Sequence, residues 1–275
     1  MRANGRALVD ALHGTTDRRV SIVIPAKNEE RNLPHVLSQL PVDYEVILVD
    51  GHSVDDTVCE ARHLRPDITI VTQTREGKGN ALACGFTAAT GDFIVMIDAD
   101  GSNDPNEIPR FLAALEEGAH FAKGSRFLHG GGSHDISTIR RIGNFWLNKV
   151  VNVLYGTHYT DLCYGYNAFR RECLAVMRLN PTDIERSEPE AMFWGDGFEV
   201  ETLINVRIAK AGLRVTEIPS FEAARHHGAS NLNAFSDGLR VLRTIHMELK
   251  GARRRSNRDL EWDQPRRSMI TEEAG

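Results

Sequence analysis

A chain of 275 residues with 41% hydrophobic and 26% charged residues can build one large α/β domain or two fused halves. A net charge of -5, with no basic face interleaved with aromatics, excludes broad nucleic-acid binding. No run approaches the roughly 18 apolar residues of a membrane span, and residues 1–19 lack the apolar core of a signal peptide, so the expectation is a cytoplasmic protein.

The first strand is the β-branched run Val20 to Pro25, after a flexible N-terminus of residues 1–19. Asn28 can cap a helix from Glu29 towards Leu40, with acids in its first turn. Tyr44 to Val49 is the second strand and ends at Asp50. Ser53 or Asp55 can cap a helix from Asp56 to Leu64, which Pro66 limits. Ile68 to Val71 is a third strand. Gly79 to Ala89 is a small-residue helix, stopped by Gly91. Phe93 to Ile97 is a buried strand, followed by a helix from Pro105 to Glu117 and a short strand from Ala119 to Lys123. Strand and helix alternate up to about residue 125, which predicts an α/β fold: a Rossmann-like, mostly parallel sheet with helices on both faces. Beyond that point the rhythm changes to a small mixed subregion. Gly130 to Ser133 is predicted as a flexible loop, Ile139 to Tyr155 as an amphipathic helix, and Tyr166 to Phe169 as a strand. Residues 181–189 form a long polar stretch suited to a mobile lid. Glu199 to Ala211 is helical, Leu213 to Ile218 a strand, and Asn233 to Leu249 the last helix. Residues 251–275 are a charged tail, expected to be disordered.

Cys59, Cys84, Cys163 and Cys173 contain no Cys-x-x-Cys pair, which points to buried inert thiols rather than a disulfide framework or zinc site.

The most informative stretch is Asp98-Ala99-Asp100, which closes the apolar run Phe93 to Ile97. It puts two carboxylates at the carboxyl end of a buried strand, where open α/β sheets bind ligands. Two acids one residue apart repel unless a cation lies between them, and a divalent metal on a diphosphate supplies one. A solvated turn is the alternative for this pair, with Asp104-Pro105 as cap and first residue of the next helix. Other strand ends gather polar groups on the same edge: Pro25 to Glu29, Asp50 to Ser53, and Gly77-Lys78-Gly79. Carboxylates suit ribose hydroxyls and base donors; Lys78 and a helix N-terminus suit phosphate. No Gly-x-x-x-x-Gly-Lys-Ser/Thr loop and no complete dinucleotide fingerprint is present.

Ser21 to Glu30, Val49 to Ser53, Glu76 to Ala81, Asp98 to Asp100, Gly124-Ser125-Arg126, Asp161 to Phe169, Gly197 to Glu201 and Arg225 to Ser230 occur in order. This set resembles inverting family-2 glycosyltransferases with a GT-A fold, and most nearly the dolichyl- or polyprenyl-phosphate mannose and glucose synthases, over roughly residues 20–245, which implies a single GT-A domain over residues 20–250. The resemblance implies that Pro25, Ala26, Asn28, Glu29 and Asp50 hold the base and ribose of a UDP- or GDP-hexose, with Lys78 on the same side. It implies Asp98, Ala99 and Asp100 as the Asp-x-Asp site for Mg²⁺ or Mn²⁺. Arg126 would face the phosphates, Arg140 or Arg141 a phosphate of donor or acceptor, and Asp161 with Glu199 or Glu201 would border sugar and acceptor. His226 or His227 is either a loop residue or a contact to metal or phosphate; His227 is the candidate third ligand. The implied activity is metal-dependent transfer of a hexose to a polyprenyl phosphate, with Asp100, Arg126, Asp161 and Glu199 as the catalytic candidates. The alternative acceptor is a soluble small molecule. A nucleotidyltransferase and a non-catalytic nucleotide-sugar-binding protein are the remaining readings; Pro25 to Glu29 lacks the Gly-rich loop of the former. Lys250 to Arg258 carries a basic run that either touches an anionic membrane or is solvated.

Overall fold

The computed structural model describes residues 18–134, 136–183, 193–228 and 234–254. Most of the N-terminal stretch, the greater part of the polar stretch 181–189, and the tail from residue 255 lie outside the described residues.

The chain begins with β1 (Val20–Ala26), a short α1 (Leu33–Leu37), β2 (Glu45–Asp50), α2 (Thr57–Leu64), β3 (Thr69–Thr72), α3 (Lys78–Ala88) and β4 (Phe93–Met96). A 3-10 turn at Pro105–Glu107 leads into α4 (Ile108–Glu116), then β5 (Phe121–Ser125), β6 (Gly132–Ser133), α5 (Thr138–Tyr155) and β7 (Asn167–Arg170). A second 3-10 turn enters α6 (Leu174–Met177), and α7 (Val200–Lys210), β8 (Val215–Pro219), β9 (Phe221–Glu222) and α8 (Ala234–Arg254) follow. Seven strands form one sheet in the order β3-β2-β1-β4-β7-β5-β8. All neighbours run parallel except β7, which is antiparallel to both β4 and β5.

Successive residues of a strand face opposite sides, so each apolar run feeds two cores. Ile22, Ile24, Leu48 and Val95 pack with α1 and α4 through Leu33, Phe111 and Leu115. Val23, Ile47, Val49 and Ile94 pack with α3, α6 and α7 through Leu82, Phe86, Met177 and Ile204. Burial on both faces is why β1, β2 and β4 carry continuous rather than alternating apolar sequences. The topology puts the carboxyl ends of β1, β2 and β4 on one edge, which places the loops after residues 26, 50 and 96 side by side.

Three local expectations are corrected. The helix expected over residues 29–40 shrinks to Leu33–Leu37, because Asn28 takes a left-handed φ of 58° and spends its side-chain oxygen on the Val54 N–H (2.8 Å). The glycine loop 130–133 contains a strand: Gly132–Ser133 pairs with Phe221–Glu222, a long-range contact invisible to local pattern. The last helix continues to Arg254, past the start of the expected disorder at residue 251. Asp104 does cap its turn, accepting from the Asn106 N–H at 2.9 Å, with Pro105 at the first position. Among the described residues no helix is long and apolar enough to cross a membrane.

Candidate active site

The strand ends open onto a cavity of about 1090 Å³. Its floor comes from Pro25, Ala26, Asn28 and Glu29 after β1, Lys78 at the start of α3, and Asp98, Ala99 and Asp100 after β4. One wall comes from Arg140, Gly143, Asn144 and Leu147 of α5, and the far rim from Arg225 and His227 after β9. Carboxylates outnumber Lys and Arg side chains on this lining, which suits a cation-bearing ligand.

Lys78 organises the floor. Its Nζ lies 2.6 Å from Asp98 Oδ1 and 2.8 Å from Glu201 Oε1. Burial alone would lower the Lys78 pKa, but the two carboxylates outweigh it and hold the ammonium firmly protonated. Burial pushes the Glu201 carboxyl up, opposed by Lys78. Gly165 closes over this triad: a Cβ there would come 3.0 Å from the Lys78 Nζ and 3.4 Å from Asp98 Oδ2.

Asp100 is held more loosely. Its Oδ1 accepts from the Ser102 N–H at 3.0 Å, and its Oδ2 faces Arg225 Nη1 at 3.6 Å. The turn depends on Gly101 at φ +78°, where a Cβ would meet the His226 ring at 2.5 Å. Arg225 also pairs with Glu29, and its Nε donates to the His227 carbonyl at 2.9 Å. His226 stacks on His35 with ring centroids 4.1 Å apart. The loop after β9 is thereby tied to the loop after β1, to α1 and to the Asp98–Asp100 turn. The donor set fits a magnesium-type ion. Such ions take one or two carboxylates and fill the remaining positions with water and substrate phosphate. Asp98 and Asp100 supply those carboxylates. Among the described residues no three His, Cys, Asp or Glu side chains converge into a closed metal cage, so His227 does not complete a set of three with them.

Arg126 and Asp161 form a buried ion pair at the edge of the cavity. Arg126 Nε and Nη2 donate to Asp161 at 2.7 and 3.0 Å, and its Nη1 donates to both Glu222 oxygens at 3.1 and 3.0 Å. Its guanidinium sits 4.7 Å from the centre of the Tyr164 ring. Burial would lower its pKa, but Asp161 and Glu222 keep it raised and charged. Arg126 touches the cavity with its charge already matched by two carboxylates. Asp161 is wholly buried and is not among the residues that line the cavity.

Glu199 is likewise buried off the cavity, its Oε1 accepting from the Gly195 N–H at 2.9 Å. Glu201, the other acid of the pair, does line the cavity. Asp50 turns its Oδ1 to the Ser53 N–H at 3.2 Å, and Gly51 takes its place on the lining. Arg141 lines a separate pocket of about 430 Å³ beside Phe127 and Phe221, whereas Arg140 faces the main cavity. Of the cysteines, Cys84 and Cys173 are buried but Cys59 is exposed. Cys163 lines the cavity, and burial followed by Asp161 pushes its thiol up to about 11, which keeps it inert.

Two contributors carried no sequence role. Arg225 bridges Glu29 and Asp100, both more than a hundred residues away in the chain; the dense Arg225-His226-His227 run after a strand was its signal. Asn144 is buried in the wall with neither side-chain atom bonded, and a buried asparagine has no signature in an amphipathic pattern.

The glycosyl transferase family 2 model matches residues 21–177. An uncharacterized glycosyltransferase of Mycobacterium tuberculosis is 33% identical over 218 residues, 78% of this chain and 89% of the relative. The undecaprenyl-phosphate mannosyltransferase of Micrococcus luteus is 29% identical, over 78% of this chain and 88% of its own. The dolichol-phosphate mannosyltransferase of Pyrococcus furiosus is 28% identical, over 78% of this chain and 59% of its own. Among solved structures, glucosyl-3-phosphoglycerate synthase of M. tuberculosis, crystallised with Mn²⁺ and UDP-glucose, superposes with a TM-score of 0.65 at 22% identity, over 88% of this chain and 82% of that one. The same synthase has been crystallised with phosphoglyceric acid, with a TM-score of 0.64 at 23% identity, over 84% of this chain and 80% of that one. The fold is thus the GT-A-like α/β arrangement, and the chain belongs to glycosyl transferase family 2 and is a glycosyltransferase.

Proposed function

We propose that this enzyme moves a hexose from a nucleoside-diphosphate sugar to a polyprenyl phosphate by in-line displacement with inversion, with Mg²⁺ or Mn²⁺ as cofactor. The observation that carries the reading is the Asp98–Asp100 turn at the carboxyl end of β4, open to the cavity and braced by Lys78 and Arg225. The metal, held by Asp98 and Asp100, would offset the charge growing on the departing diphosphate. Lys78 holds the Asp98 carboxylate in place through its 2.6 Å contact. Arg225 joins the turn to Glu29 and adds a cation at the rim, where a diphosphate oxygen could displace its 3.6 Å contact to Asp100. Pro25, Ala26, Asn28 and Glu29 would border the base and ribose. Arg140 lies on the acceptor wall. Arg126 acts as a positioning residue that fixes the Asp161 loop to Glu222. A phosphate acceptor is anionic already and needs no base; a hydroxyl acceptor would need one, and Glu201 is the carboxylate of the three named acids that reaches the cavity.

The polyprenyl-phosphate mannosyltransferases among the relatives support the acceptor. The synthase crystallised with phosphoglyceric acid favours a second reading, in which the acceptor is a small soluble phosphate. The test is a panel of UDP-, GDP- and dTDP-hexoses with Mn²⁺, scored by released nucleoside diphosphate with and without polyprenyl phosphate. Labelled sugar entering the organic phase supports the lipid acceptor; retention in water with phosphorylated small acceptors supports the second reading. Asp100→Asn is expected to lose roughly a hundredfold or more in turnover. Full turnover with unchanged metal dependence would remove the mechanism.

A further inference from the structure

Helix α5 is built inside out. Its inward positions include Asn144 and Asn148, both buried, while Trp146 is 64% and Val153 82% exposed. Ile142, Trp146, Val150 and Val153 recur at steps of four, four and three, so they share one stripe along the helix. Arg140, Gly143, Asn144 and Leu147 lie on the other side and line the cavity. An exposed apolar stripe of this extent, on a helix that buries Asn144 and Asn148, marks an interaction surface rather than an ordinary solvated helix. The helix carries Arg140, Arg141 and Lys149 and not one Asp or Glu over its 18 residues. That is a local excess of positive charge on a chain of net charge -5.

The stripe is continuous with the site. Exposed Ile139 belongs both to the outer surface and to the cavity lining. Helix α8 packs on the inner side of α5 through Val241 and Ile245 against Val151, and Tyr155 donates to the Ile245 carbonyl at 3.3 Å. Gly238 and Val241 of α8 also reach the cavity, and Leu239 and Leu242 beside them are exposed. The cavity mouth is therefore flanked by two helices that leave apolar side chains in water.

We propose that the outward face of α5 lies flat on an anionic lipid bilayer and holds the cavity mouth at the membrane surface. This rests on the polyprenyl-phosphate reading of the acceptor and deepens it. The chemistry of the face selects the occupant. An apolar stripe with an exposed Trp and Phe, edged by Arg and Lys and free of acids, matches the headgroup boundary of an anionic bilayer. A second copy docking on the same face across a two-fold axis would bring the same cations together. A lipid-linked phosphate could then enter beside Ile139 and Arg140 without its hydrocarbon chain leaving the bilayer.

The experiment is flotation of the full chain with phosphatidylcholine vesicles, with and without phosphatidylglycerol, in the absence of donor, acceptor and metal. Binding is expected with the mixed vesicles, weaker with phosphatidylcholine alone, and several-fold weaker at high salt. Ile142→Ser/Trp146→Ser is expected to lose roughly tenfold or more of that binding, with unchanged melting temperature and unchanged turnover on a water-soluble acceptor. Trp146 fluorescence should shift to the blue on the mixed vesicles, and Trp146→Phe should abolish that shift. Absence of vesicle binding by the full chain, or equal binding by the double variant, overturns the proposal. So does a dimer in light scattering that the double variant converts to monomer without any change in vesicle binding. The acceptor reading fails separately: vesicle binding with transfer only to soluble phosphates would keep the surface and reject the lipid acceptor.

Discussion

Replacing Asp161 by Asn tests whether this residue acts in chemistry or in architecture. Three hydrogen bonds converge on its carboxylate: the Arg126 N–H at 3.1 Å, Nε at 2.7 Å and Nη2 at 3.0 Å. The amide is nearly isosteric, but its NH₂ end cannot accept, so at least one bond becomes a donor facing a donor. The negative charge is also lost beside the buried Arg126 guanidinium. Breaking a buried pair typically costs about 3–5 kcal/mol. Glu222 still satisfies Arg126 Nη1 with two bonds, which argues for the lower end, about 3 kcal/mol. At roughly 2–4 °C per kcal/mol for a domain of this size, the melting temperature should fall by about 6–12 °C. The assay is a thermal melt paired with turnover per folded molecule, measured well below the transition. Turnover should fall less than tenfold, with an unchanged pH profile, because Asp161 does not touch the cavity. An unchanged melt with a thousandfold loss of turnover would refute the reasoning and make Asp161 a chemical participant.

Asn144→Ala removes a buried amide that makes no hydrogen bond, so the melting temperature should hold or rise. KM for one substrate should rise roughly tenfold if the amide meets that substrate, at about 1–1.5 kcal/mol per hydrogen bond. Substitution of Gly79 by Ala puts a Cβ 1.9 Å from the Gly195 carbonyl oxygen; the backbone of residues 195–196 must move, and both stability and turnover should drop. Lys78→Met leaves Asp98 and Glu201 facing each other without a cation, so the metal concentration needed for half-maximal turnover should change along with a loss of rate. Glu248 joins α7 to α8 by accepting from Arg207 at 3.0 Å and Lys210 at 2.5 Å. Burial raises its pKa, but Lys210 and Arg207 outweigh that and leave it lowered. A lowered carboxylate stabilises the fold above its unfolded value of roughly 4.3, and the gain is lost as pH falls through the folded value. Wild type should therefore melt above Glu248→Gln at neutral pH, and the two should converge in acid.

Much was legible in the sequence because it is local. The runs Val20 to Pro25 and Phe93 to Ile97 are apolar on both faces, which only a strand covered on both sides explains. Asp98 and Asp100 end such a strand, so their place at the sheet edge followed from chain direction alone. The ordered motifs identified the family on the same footing. The tertiary structure decided which polar residues face the ligand. Asp161 and Glu199 share motifs with cavity residues but are turned inward, because Arg126 and the Gly195 N–H claim their carboxylates. Asn28 has the chemistry of a helix cap, yet a contact to Val54 pulls it into a left-handed turn and shortens the helix behind it. Arg225 meets Asp100 only because the chain after β9 runs along the loop that follows β4, where the Ala223 N–H donates to the Ser102 carbonyl at 2.8 Å, and no spacing encodes that. The periodicity of α5 marks an amphipathic helix but not which side is buried; packing against α8 put its asparagines inside and its tryptophan out. Local pattern is written residue by residue, whereas the choice between solvent, partner and cavity is made by whatever the rest of the chain brings alongside.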